Sequence, residues 1–243
     1  MTGPIVDTPA AQELMAEILE RVDRRDLSAT SERLGKKSEG FQRLLGEHRS
    51  SSIAPDDLRR VLRSVFSCRR HADQILAAVG ADRLGAGIEE LLEGHGALSE
   101  RIDRFDALLA DHGGPGFDLP GELLHFTYPD RYWLWTRWMW DPRTETGALR
   151  LVTADDVDLM GDGRGATYVK VGRAVAFVEE TGKAVGFTAM GQGLLGIDVF
   201  LAAAYGIYMY TVLRMRMTQE FNRIVPPLPD LLQRLLGVRA LEV

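Results

Sequence analysis

Residues Leu194 to Leu213 (LLGIDVFLAAAYGIYMYTVL) form a run of 20 residues with a single charge, Asp198. A helix this long and apolar on every side has two homes, the centre of a helical core or the hydrocarbon of a bilayer. Arg214 and Arg216 follow it directly, as the cytoplasmic flank of a span would require. Asp198, three tyrosines and the lack of a second such run favour the core. A helix buried all round needs several amphipathic helices to bury it, so the run predicts a multi-helix globular protein.

The rest of the chain supplies them. Leu14, Ile18 and Val22 recur at four-residue steps over residues 9–26. A more polar helix is expected over 29–49, with Leu34, Phe41, Leu44 and Leu45 inward. Pro55-Asp56-Asp57 opens a third, since proline and acids suit a first turn. Its stripe of Leu58, Val61, Leu62, Val65, Phe66, Ala72, Ile75, Leu76 and Val79 predicts one helix to about residue 79. Residues 86–111 read as helix, with Gly94 and Gly96 able to divide it. Residues 120–127, 166–182, 194–217 and 229–237 complete the set, the last ending at Gly237. Leu149–Val152 is a candidate short strand. The expected fold is mainly α, with long loops and at most a minor β element near 149–152. Gly113-Gly114-Pro115-Gly116 is the clearest break, separating an N-terminal region (1–112) from a C-terminal region (117–243) that packs with it as one domain or stands as a second.

Composition removes several function classes. One cysteine, Cys68, excludes an internal disulfide framework and a cysteine-based metal cluster. The net charge is −6 over 243 residues, and residues 1–113 hold 16 Lys/Arg against 20 Asp/Glu, so there is no global basic excess for nucleic acid. The start, MTGPIVDTPAAQELMAE, lacks the basic and apolar parts of a secretory signal, which points to the cytoplasm. GQGLLG (Gly191, Gly193, Gly196) matches a dinucleotide fingerprint but lacks the acidic residue about 20 positions on and the following sheet. Glu122-x-x-His125 is half of a di-iron helix motif without its second half. No metal or cofactor and no catalytic group is expected.

Two clusters stand out as binding candidates. No acid lies between Asp57 and Asp73, a stretch holding Arg59, Arg60, Arg63, Arg69 and Arg70. On one continuous helix Arg59, Arg63 and Arg70 share a face, and such a row suits phosphates. The second cluster holds all four tryptophans within eight residues. Trp133, Trp135, Trp138 and Trp140, interleaved with Arg131 and Arg137, would surround a helix and send some rings to a second surface. Aromatic and arginine side chains together suit protein hot spots or base stacking.

Leu124-His125-Phe126-x-Tyr128-Pro129-x-x-Tyr132-x-Leu134-Trp135 resembles a short pattern in helical bacterial proteins of uncharacterised function, related segments of which occur in DNA-sensing modules of modification-dependent restriction systems. Trp133 stands where that pattern has a second proline. The resemblance implies a bacterial accessory or defence role and assigns no catalytic residue. The resulting expectation is a non-enzymatic binding or regulatory module that contacts a protein or nucleic-acid partner, and homo-oligomers are compatible with it. The alternatives are a membrane-associated effector using 194–213 and a small-molecule enzyme with a dispersed site around Asp198, Tyr205 and His125.

Overall fold

A computed structural model describes residues 5–46, 53–110, 117–185, 193–216 and 226–241. Among them are ten α-helices and no strand, the mainly α fold expected. The helices are α1 (Thr8–Arg21), α2 (Arg24–Leu45), α3 (Pro55–Ser64), α4 (Ala72–Val79), α5 (Ala81–Glu93), α6 (Leu98–Ala110), α7 (Leu119–Thr127), α8 (Arg164–Val185), α9 (Gly193–Arg216) and α10 (Leu228–Leu235). The chain divides into two compact units, each built from separate stretches. Unit 1 holds Met1–Leu34, Trp138–Val157 and Ala174–Arg239, and unit 2 holds Gly35–Arg137, Asp158–Arg173 and Ala240–Val243. The glycine-rich break at 113–116 and Gly191-Gln192 of GQGLLG lie outside the described residues.

Unit 1 is organised around α9. Val199 through Ala204 are buried in succession, as a helix apolar on all faces requires. Helices α1 and α10 and a 3-10 turn at Ala148–Leu151 pack against it. The segment Gly193–Val212 is long and apolar enough to cross a membrane, yet 61% of it is buried inside the protein. The strand expected at 149–152 is this 3-10 turn instead. Its backbone joins the N-terminus by single bridging contacts, Asp7 N–H to Val152 O at 2.9 Å and Ala154 N–H to Ile5 O at 3.0 Å, too few to extend a strand. Gly147 enters the turn at φ 142°, where a Cβ would fall 2.4 Å from the Met139 carbonyl oxygen, so only glycine fits.

Unit 2 wraps helices around α7, every residue of which is buried. Helices α5 and α6 pack on it with Leu84, Ile88, Leu91, Ile102 and Phe105 in the core. The helix expected over 86–111 is divided between Glu93 and Leu98, and Gly96 takes φ 105° in the connection. The helix expected over 55–79 is also two. It stops at Ser64, whose hydroxyl donates back to the Arg60 carbonyl at 2.9 Å, a bond that competes with helical continuation. A bend at Val65 and six turn residues, 66–71, then intervene before Ala72. The aromatic stretch 128–140 is not helical at all but an irregular chain of turns.

Candidate binding site

The break at Ser64 reshapes the basic segment. Successive turn bonds (Cys68 N–H and Arg69 N–H to Val65 O, His71 N–H to Cys68 O) fold residues 65–71 into a tight corner. Val65 and Cys68 face inward and are fully buried. Phe66, expected in the apolar stripe, is instead 62% exposed, because the corner turns it away from the face that Leu58 and Leu62 bury. Arg69, Arg70 and His71 are exposed beside it. The Ser67 hydroxyl donates inward to the Asp118 carboxylate, which ties the corner to the start of α7.

Arg59, Arg63 and Arg70 do not form one row. Arg59 and Arg63 lie on α3 and converge on α4, where Asp73 receives Arg59 Nε at 2.7 Å and Arg63 Nη2 at 3.3 Å. Asp56 takes Arg59 Nη1 at 2.5 Å, and Asp57 takes Arg60 at 3.4 Å. Hydrogen bonding from Arg59 holds the Asp73 carboxyl below its ordinary value, and Asp73 in turn raises the Arg59 guanidinium. These pairs are solvated, so they organise the two helices and add little stability. Arg70 stands beyond the break, on the corner. Across residues 53–79 five arginines face three aspartates, leaving two net positive charges in a chain of net charge −6.

Trp135 and Trp140 are buried, and Trp133 and Trp138 are half-buried, each packed within its own unit. In unit 2, Trp133 Nε1 donates to Tyr168 O at 2.9 Å, and the Tyr168 hydroxyl donates to Trp133 O at 2.8 Å. The two rings stack at 4.8 Å, and the indole lies where a Cβ on Gly172 would come within 1.8 Å of it. Trp135 is buried with its ring edge on Phe117 at 5.0 Å. Arg137 and Arg164 both cover Phe117, at 4.9 and 4.1 Å. In unit 1, Trp138 donates to Leu235 O at 3.1 Å, and fully buried Trp140 lies under Arg150 at 5.0 Å. Arg131 alone of this set is exposed. It sits over Tyr128 at 5.2 Å and lines a cleft of about 300 Å³ with Thr127 and Gln42.

Unit 2 also buries charge. Lys37 Nζ lies 2.6 Å from Glu122 Oε2 and 4.3 Å above the Phe126 ring, with the two charged side chains 0% and 4% exposed. His125, one turn on from Glu122, donates from Nδ1 to Tyr132 O at 2.8 Å. Dehydration pushes the Glu122 carboxyl up against the opposing pull of Lys37. The residues of the dispersed enzyme reading fall in different units, Asp198 and Tyr205 in unit 1 and His125 in unit 2. Among the described residues no group of three or more His, Cys, Asp or Glu side chains could hold a metal ion.

Sequence reasoning missed Phe66 and Lys37. The serine-rich, turn-forming Ser64 to Ser67 was the available signal for Phe66. Lys37 gave none, since Lys36-Lys37 in a polar stretch looks like a solvated face. No protein-family model, curated protein or solved structure matches the chain.

Proposed function

We propose that the protein is a non-catalytic binding module that engages an anionic partner through the α3–α4 corner. The exposure of Phe66, at 62%, within a turn that also presents Arg69, Arg70 and His71 carries this reading. An exposed aromatic ring gains free energy on leaving water, and guanidiniums beside it give direction to the contact. Arg59 and Arg63 on α3 both pair with Asp73 on α4, which orients them toward that helix. Trp135 and Trp140 are buried, whereas Trp133 and Trp138 are half-buried, so Phe66 is the more exposed ring.

Retention on immobilised heparin tests this. The full chain is expected to elute at higher salt than an Arg69→Glu/Arg70→Glu variant, with circular dichroism confirming that both are folded. Equal elution of the two proteins removes the reading.

A further inference from the structure

We propose that the cleft at the ends of α2 and α7 in unit 2 binds a small aliphatic primary amine, held by its ammonium group. The cleft has a volume of about 300 Å³ and shares no residue with the corner. At roughly 30 Å³ per water it equals about ten waters, the size of a small molecule. Gln42 lines it from the last turn of α2, and Thr127, Tyr128, Pro129, Asp130 and Arg131 line it from the end of α7 and the turn that follows. Two of these residues are engaged with the protein itself: the Tyr128 hydroxyl donates to Glu93, and Arg131 lies over the Tyr128 ring at 5.2 Å. Three acceptors are not. Thr127 is 2% exposed, and its buried hydroxyl has no hydrogen-bond partner among the described residues. Buried polar groups are nearly always paired, so a polar group entering the cleft supplies what the chain does not. Asp130 is exposed and makes no side-chain hydrogen bond or ion pair among the described residues. The third acceptor is Gln42 Oε1. Ser38 Oγ gives its one proton to Phe126 O at 2.9 Å and so accepts from Gln42 Nε2, also at 2.9 Å. That relay fixes the amide's orientation and leaves its oxygen as an acceptor.

The excess of acceptors selects the ligand. An ammonium carries three N–H donors and no acceptor, which suits a lining with three unengaged acceptor side chains. Electrostatics point the same way. Helix α2 ends at Leu45 and α7 at Thr127, so the cleft lies at two helix C-termini. Each C-terminus carries about half an elementary negative charge. Asp130 and Arg131 offset one another, and the two helix ends then make the cleft negative. A carboxylate or phosphate would be repelled by that field and would bring further acceptors to a site already rich in them. A neutral hydroxyl brings one donor where an ammonium brings three. Tyr128 and Pro129 give the alkyl chain an apolar surface to lie on.

Isothermal titration of the full chain tests the proposal with three probes that share a four-carbon chain and differ in their ends: putrescine, 1,4-butanediol and succinate. Putrescine is expected to bind at least about 10-fold more tightly than either of the others. Asp130→Asn should weaken putrescine about 10-fold through loss of one charge-assisted bond. Thr127→Val, which keeps the side-chain shape without the hydroxyl, should also weaken it, and Thr127→Ser should restore it. Circular dichroism checks that each variant is folded. Three results overturn the proposal: no binding of putrescine, binding of 1,4-butanediol or succinate as tight as that of putrescine, or putrescine binding that either Asp130→Asn or Thr127→Val leaves unchanged. The last of these marks diffuse attraction of a cation to an acidic chain. None of these outcomes bears on the corner, which heparin retention tests separately.

Discussion

Lys37 and Glu122 form an ion pair at 2.6 Å with the lysine side chain fully removed from solvent. Each charge depends on the other, because a lone ion in this setting loses its hydration without a replacement. Lys37→Met, which leaves the Glu122 carboxyl without its cation, is expected to destabilise unit 2 by about 3–5 kcal/mol. Adding Glu122→Gln should recover a large part of that loss, as the second charge is removed as well. Urea denaturation of the two single variants and the double variant measures the coupling. Additive losses would mean that the two groups act independently.

Cys68 is buried behind the corner, and burial pushes its thiol up to about 12. At pH 8 roughly one molecule in 10⁴ then carries the reactive thiolate. Iodoacetamide should therefore label native protein slowly and unfolded protein rapidly, as followed by intact mass. The native labelling rate should rise with urea before the global transition if the corner opens locally. Rapid stoichiometric labelling in native buffer contradicts this placement.

Asp118 couples the corner to α7 by accepting from Ser67 and, at 3.0 Å, from the Arg137 backbone N–H. Dehydration raises its carboxyl above the ordinary value despite those bonds and the nearby Arg137 and Arg164. The folded state thus holds this proton more tightly than the unfolded state. Its contribution to stability is complete below the ordinary carboxylate range and declines as pH rises through the elevated folded value. Asp118→Asn cannot ionise, so in urea titrations its stability relative to the parent should improve as pH rises above the ordinary carboxylate range and level off once the folded carboxyl is ionised. A difference that stays constant with pH would show that Asp118 titrates normally.

Helical periodicity made most of the architecture readable. The four-residue steps of α1, the all-round apolar α9, the Gly94/Gly96 interruption and the stop at Gly237 each follow from local chemistry. Phe66 was misplaced because extrapolating the Leu58–Leu62 register assumes that the helix continues, and Ser64 ends it through its bond to Arg60 O. The tryptophan segment misled for a related reason. Helical angles do not hold over residues 128–140, whose positions come from distant partners such as Tyr168 in unit 2 and Leu235 in unit 1. Those partners lie 35 and 97 residues away, beyond any local pattern. Lys37 was hidden because its burial depends on Glu122, 85 residues on.

Amide and indole N–H signals of the isotope-labelled full chain, recorded during titration with a heparin oligosaccharide, test the central claim most directly. The four indole N–H groups report the aromatic segment, and the backbone amides of residues 63–74 report the corner. The predicted result is saturable shifts at 63–74 while the four indole signals stay in place. Shifts of the indole signals with residues 63–74 unchanged would place binding on the tryptophan segment and contradict the account.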